Sequence, residues 1–341
     1  MKLTKRKDFF RVPPFLHTSR SCKAINLSLL LLLLPQIAVL FLYHEIYAVL
    51  NIFSSTTATL ICQSIVYYKE KTTFKIPLEA LLQGLFIGFF MPINMGFGFV
   101  FICAFLGFSI TRVIFGKSGR WVHSTTIILL IAYISYPDLF TFTQATKTLS
   151  AEVTPLSNSP FPFISLDAYI TSFLNSNILN NLGITLPQGY ISLFWNTSSL
   201  IPACRYNLLT IIASIIFLSF KIYDYTISIV FIFVYSFFVY CFSNMSEVSF
   251  LSGDILSSIM GGGIMFMVFF LLGEPHSFPK TPLFKIIAGV IMAFVSFIIS
   301  KEHVSFITLS FVSIIINIIS PYIEEFEKAF KTKKKVINII G

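Results

Sequence analysis

Positive charge falls in every second polar break of this chain, and that alternation constrains its fold more than any other feature. About ten apolar stretches are separated by short polar breaks. Counted alternately from the N-terminus, one set of breaks holds all but three of the 24 lysines and arginines. The exceptions are Lys147, Arg205 and Lys301. Polytopic membrane proteins show this bias because cytoplasmic loops retain lysine and arginine. Both termini fall on the basic side, so the alternation predicts a multi-pass protein with cytoplasmic ends. One miscounted span would mix the two sets, so the asymmetry also supports the span count.

Composition agrees. A mean hydropathy of +0.83 and 11% charged residues exclude an ordinary soluble domain. Each bilayer-spanning helix needs about 20 apolar residues, so ten of them consume most of a chain of 341. The net charge of +9 is then topology charge held near anionic headgroups, and it calls for no nucleic acid. Five cysteines are scattered without a C-x-x-C pair, which argues against a zinc or iron–sulfur site carried by this chain alone. The first apolar run has a basic flank but no small-residue cleavage site, and reads as a retained helix. Forty phenylalanines against 16 glycines suggest compositional drift that erodes family motifs.

The expected fold is all-α and polytopic. Five segments are expected: a basic cytoplasmic stretch over 1–25, a five-helix half over 26–136, an extracytoplasmic segment over 137–206, a second five-helix half over 207–320 and a basic tail over 321–341. Five helices per half means that the second half enters the membrane in the opposite sense, the plan of an inverted repeat. Span three, about 78–92, is short and interrupted at Pro92 and Asn94. Such a break lines a cavity or makes a tight hairpin. Span eight, about 255–272, is read as opening on Gly261-Gly262-Gly263. Small residues there allow close helix packing or leave room for a flat ligand.

Chemistry-bearing residues are sparse. Glu45, Glu79, Asp224, Asp254 and Glu302 all lie near span ends, which argues against a self-sufficient ion pump. Histidines 17, 44, 123, 276 and 303 also fall near boundaries and read as surface groups. No Ser/His/Asp or metal-ligand spacing is present. Asn196 and Asn244 match N-x-S/T by chance. Two stretches stand apart: Ser150-Ala151-Glu152-Val153-Thr154-Pro155-Leu156 on the outer side, and Glu274-Pro275-His276-Ser277-Phe278-Pro279-Lys280-Thr281-Pro282 on the inner side.

The order of these pieces resembles the RnfD/NqrB family. These are the ten-helix membrane subunits of the Rnf electron-transport complex and of the Na+-translocating NADH:quinone oxidoreductase. Phe115-Gly116-Lys117-Ser118-Gly119-Arg120 stands where the family has a glycine-containing loop after helix four. Glu274-Pro275, Pro279 and Thr281 match its D-P-x-x-x-P-x-T loop, with glutamate for aspartate. Gly261–Gly263 and Lys285-Ile286-Ile287-Ala288-Gly289 fit the pattern around helices eight and nine. Ala151–Leu156 stands where the family has an S/T-G-A-T-P-L-like stretch. The resemblance implies covalent FMN joined by a phosphoester to Thr154, and the charge pattern puts Thr154 on the outer side. A second, noncovalent riboflavin between helices is further implied. Thr148, Ala151 and Glu152 replace the acidic residue, the first Ser/Thr and the glycine of the flavin-transferase recognition motif. Cys204-Arg205-Tyr206-Asn207 lies where the family has a G-E-T-S-like stretch before helix six.

The implied function is a flavin-carrying subunit of an ion-translocating electron-transport complex in the bacterial cytoplasmic (inner) membrane. It would relay electrons between membrane and peripheral partner subunits, coupled to Na+ or H+ movement, and would not be active alone. The alternatives are a flavin-free channel or solute carrier on the same scaffold, and a structural subunit that lost its flavin. The charge pattern makes its own prediction. A phosphatase reporter fused just after span five, at about residue 140, is expected to be active outside the cytoplasm; activity only from a cytosolic reporter there overturns the topology.

Overall fold

The computed structural model describes residues 22–70, 77–114, 123–140, 163–179, 192–195, 199–220, 224–243, 255–260, 262–272, 281–299 and 305–340. Among these residues every regular element is helical. The first half holds α1 (Cys22–Leu42), α2 (Ile46–Lys69), α3 (Leu78–Phe90), α4 (Phe97–Ser109) and α5 (Ser124–Ser135). A further helix, α6 (Phe163–Leu174), lies between the halves. The second half holds α7 (Asn207–Phe220), α8 (Thr226–Ser243), α9 (Ile255–Met260), α10 (Ile264–Phe266), α11 (Pro282–Ile299) and α12 (Ser305–Ile340). A helix stands at each of the ten expected spans, with α9 and α10 sharing the eighth. The chain is an all-α polytopic membrane protein.

Lys23–Leu42, Ile46–Lys69 and Phe306–Ile323 are long and apolar enough to cross a bilayer by themselves. Six other apolar helices have only 10–17 residues, about 15–26 Å against about 30 Å of hydrocarbon. Burial shows how they are used. On α11, Leu283, Ile286, Ile287, Val290, Ile291, Phe294 and Ile298 are exposed, while Ala288, Met292, Ala293 and Ser296 are buried. Large apolar residues face outward and small ones inward, the reverse of a soluble helix and the pattern of one bathed in lipid.

Two faces are distinct. Glu79 pairs with Arg112, and Asp224 with Lys285, on the face that carries the lysine-rich breaks. Glu45 pairs with Arg205 on the opposite face. Each pair joins residues that the charge pattern assigns to one side. Exposed aromatic residues mark both levels: Tyr68 and Tyr322 near the lysine-rich face, Tyr47, Tyr136 and Tyr240 near the other, as expected of interfacial rings.

The halves share a neighbour pattern. In the first, α2 packs on α4, α4 on α5, α1 on α3, and α3 on α5. In the second, α8 packs on α11, α11 on α12, α7 on α10, and α10 on α12. Across the boundary α1 meets α7 and α5 meets α12. Phe86, Phe89 and Phe90 of α3 meet Phe266 of α10. Like elements pair across the boundary, as a two-fold relation between the halves requires.

Breaks in α3–α4 and α9–α10 free backbone carbonyls that lipid cannot satisfy. A polar stripe on α2 supplies donors. Asn51 Nδ2 donates to Pro92 O (3.1 Å), Ser54 Oγ to Phe97 O (2.6 Å), Ser55 Oγ to Gly84 O (2.7 Å) and Thr59 Oγ1 to Ala80 O (2.9 Å). Gly84 and Gly88 let α3 come close enough for these bonds: a Cβ at Gly84 would lie 2.6 Å from Thr56 Cα, and one at Gly88 2.4 Å from Ile52 Cα. In the other half Ser228 Oγ donates to Val268 O (2.8 Å), inside the π turn Met267–Leu271, where the regular helix bond is displaced.

One expectation needs correction. The glycine run does not open span eight but divides it, because Gly263 adopts φ +66°, a left-handed conformation from which the chain restarts as α10. The segment over 321–341 continues the helix of the last span: α12 runs through Pro321 to Ile340 without interruption. Its bundle end is anchored by Phe306 against Phe90 (5.1 Å between centroids). Gly88→Val is expected to push α2 and α3 apart and cost about 1–3 kcal/mol, read as an earlier thermal melt in detergent; an unchanged melt would refute the close α2–α3 contact.

Candidate functional site

The face opposite the lysines carries a built polar cluster. α1 ends in a Schellman motif: Glu45 N–H donates to Leu40 O and His44 N–H to Phe41 O, both at 3.1 Å. His44 takes the left-handed position at φ 55°, where glycine is usual. That turn presents Glu45 to Arg205. Nη1 of Arg205 donates to Glu45 Oε1 (2.7 Å) and Nε to Ser199 O (2.5 Å). Arg205 is 5% exposed, so a guanidinium that lipid-embedded proteins rarely bury is held by two partners here.

Aromatic rings surround the pair. Trp195 Nε1 donates to Tyr43 Oη (3.1 Å). Trp195 also meets Tyr206 at 5.1 Å between ring centroids, and Tyr43 meets Tyr206 at 6.3 Å. Asn207 opens α7 and is fully buried. Its Nδ2 bridges Leu193 O and Met260 O, both at 2.9 Å. The break of α9–α10 is thereby tied to the segment before α7. A Cβ at Gly263 would lie 2.7 Å from Cys204 Sγ, so close packing is the use of that glycine. Ile93 N–H donates to Leu200 O (2.9 Å), which brings the α3–α4 break to the same cluster. Two stretches singled out separately in the sequence, Cys204–Asn207 and the glycine run, therefore meet at one place.

A narrow cleft opens near the lysine-rich face. Asn26, Leu29, Glu79, Leu82, Gln83, Phe86, His123 and Phe270 line it. Ser124 Oγ donates to Gln83 Oε1, and Arg112 pairs with Glu79 at its edge. Arg112 also lies over the Phe108 ring, 5.5 Å from its centroid. His123 is 2% exposed, which corrects the reading of it as a surface histidine: it sits at the start of α5, tucked beside Gln83. At this level Asp224 precedes α8. Burial works against its ionisation, but Lys285 and Thr226 outweigh that and hold its carboxyl below the usual range.

Thr154 lies outside the described residues, as do the rest of 150–156, the loop over 115–120, Gly261, and Glu274, Pro275 and Pro279 of the inner loop. The flanks of Thr154 are described. Phe140, which closes the turn after α5, is buried against Phe306 and Tyr133. α6, which follows, packs on the short turn Ser192–Trp195. Sequence reasoning missed the α2 stripe, although Asn51, Ser54, Ser55 and Thr59 recur at helical spacing. It also missed Gly84-x-x-x-Gly88, a small-residue motif of close helix pairs.

The model of the NQR2, RnfD, RnfE family matches residues 10–333. No curated protein matches the chain. The buried ion pair of the cluster can be tested directly. Glu45→Gln leaves Arg205 buried without its counter-charge and is expected to cost about 2–4 kcal/mol, less than a fully buried pair because Glu45 is partly solvated. Arg205→Met together with Glu45→Gln is expected to recover part of that loss. Equal destabilisation by the single and double variants would show that the ion pair is not what holds the segment.

Proposed function

The chain belongs to the NQR2, RnfD, RnfE family, and on that premise we propose that it is the flavin-carrying membrane subunit of an Rnf/Nqr-type assembly. The observation that carries this reading is the family match over residues 10–333, which spans the Thr154 stretch and both five-helix halves. The subunit relays electrons between partner subunits in a bacterial cytoplasmic membrane, with both termini cytoplasmic and with Na+ or H+ movement coupled across the assembly. Its partners are the other membrane and peripheral subunits.

Covalently bound FMN supplies one-electron transfer chemistry. Thr154 provides the hydroxyl for its phosphoester. Support comes from the anchored flanks of the 141–162 segment, since Phe140 and α6 both meet the face that holds Trp195 and Arg205. The surrounding residues fit a flavin ring better than a free phosphate. Arg205 is committed to Glu45 and Ser199, so tethering falls to the covalent bond. Trp195 and Tyr43 are half-buried and offer aromatic edges against which a flat ring can rest. Noncovalent riboflavin is part of the same reading. On the lysine-rich side, Glu79, Gln83 and His123 are the polar groups of the narrow cleft, with Glu79 paired to Arg112 and Gln83 bonded to Ser124.

A second reading is favoured by the residues around the tether. Thr148, Ala151 and Glu152 depart from the flavin-transferase recognition pattern, as expected of a flavin-free carrier or a structural subunit. Covalent flavin separates the readings. Co-expression with a matching flavin transferase is expected to give in-gel flavin fluorescence from denatured protein, lost in Thr154→Val. Dark wild-type protein would favour the flavin-free reading, and fluorescence that persists in the variant would move the tether elsewhere.

A further inference from the structure

Within the span, α12 turns one apolar row outward. Phe311, Ile315, Ile318, Ile319 and Tyr322 are exposed, while Phe306, Leu309, Ser310, Ser313, Ile316, Asn317 and Ser320 are buried. The helix continues unbroken to Ile340. Eighteen residues on, five full turns, the exposed row falls on positions 329, 333, 336, 337 and 340, which hold Ala, Lys, Val, Ile and Ile. The same step carries the buried row onto 324, 327, 328, 331, 334, 335 and 338. Those positions hold Glu, Glu, Lys, Lys, Lys, Lys and Asn. By this repeat the first row continues mainly apolar past the exposed Glu325, while the second becomes charged.

From this continuity we propose that residues 321–340 form an arm that lies on an anionic leaflet at the lysine-rich face. Three observations bear on it. The five lysines at 328, 331, 333, 334 and 335 begin about 10 Å past Pro321 along the helix. That distance is about one Debye length, within reach of a negative headgroup layer. Pro321 removes the helix bond to the carbonyl of residue 317, which weakens the helix against bending at that point. A bend there tips the arm away from the bundle, toward the lipid side, and turns the apolar stripe toward the membrane surface. Lys333 in that stripe is tolerated in lipid, where its long stem lets the charge reach the headgroups. The same lysine would be costly in the floor of a protein groove. An apolar stripe beside a lysine-rich one is the make-up of an interfacial helix.

The test uses the full-length protein with Cys22 and Cys241 replaced by Ser and an environment-sensitive dye on Ile337→Cys. In nanodiscs that are about half phosphatidylglycerol, emission is expected to be blue-shifted. The shift is expected to revert toward the value in water in about 0.5 M salt, or when the five lysines are changed to Gln. Water-like emission in anionic nanodiscs would overturn the proposal. An equal blue shift in neutral phosphatidylcholine would overturn its electrostatic basis. A blue shift seen only after a partner subunit is added would assign the arm to protein docking instead.

Discussion

Lipid offers no hydrogen-bond partner, so each carbonyl that this chain frees by interrupting a helix has to be matched by a donor from the protein itself. Asn51 meets that demand at Pro92 and Asn207 at Met260, Ser228 meets it at Val268 in the π turn, and Ser54 adds a bond to Phe97 at the start of α4. Each lies on a helix other than the one it serves. The breaks therefore dictate which helices are neighbours: α2 must lie on α3, α7 on the α9–α10 junction, and α8 on the π turn after α10. Gly84 and Gly88 follow from the same demand, because a hydroxyl reaches a carbonyl across a helix interface only when the two backbones nearly touch.

Where no polar bond is needed, the halves meet through phenylalanine. Phe266 contacts Phe89 and Phe90 at 5.4 and 5.3 Å between centroids, and lies 4.6 Å from Phe270. Phe270 in turn meets Phe217 at 5.7 Å. In a bilayer these contacts gain little from expelling water, since lipid tails are as apolar as the rings. Their contribution comes from dispersion and from quadrupole geometry, which reward tight, tilted packing. The abundance of this residue, read from composition as drift, therefore has a structural use at the seam between α3, α7, α10 and α12.

The span positions were readable because charge alternation and apolar length are properties of short windows. Span three, expected at about 78–92, is the helix Leu78–Phe90. The glycine run was recognised but placed at a helix start, because sequence alone does not say which glycine takes positive φ. In the sequence Arg205 reads as an exception to the charge rule and as part of the Cys204–Asn207 stretch. Its burial depends on Glu45, 160 residues away, and no local pattern links the two. His123 was misjudged for the same reason: a boundary position looks exposed until Gln83 and the cleft are seen beside it. The α2 stripe was available in the sequence, and its meaning depends on a partner helix with a break.

The two chemically furnished places lie on opposite faces with the phenylalanine cluster between them. Near the lysine-rich face the cleft ends against Phe86 and Phe270, and those rings stand 6.0 Å apart. A proton or a bare cation entering from that side meets a wall with no oxygen to replace its hydration, a cost of many kcal/mol in a dry apolar medium. An electron meets no such wall, because transfer through packed side chains carries no hydration shell. Under the proposed function, electron movement would need no rearrangement of the seam, whereas ion movement through it would require the rings to part. Phe266 and Phe270 ride on α10 and its π turn, which Gly263 bounds at one end and the Ser228 bond holds near the other. A coupling step in this subunit would therefore be sought in the α9–α10 junction, where Asn207 also fastens the outer cluster to Met260.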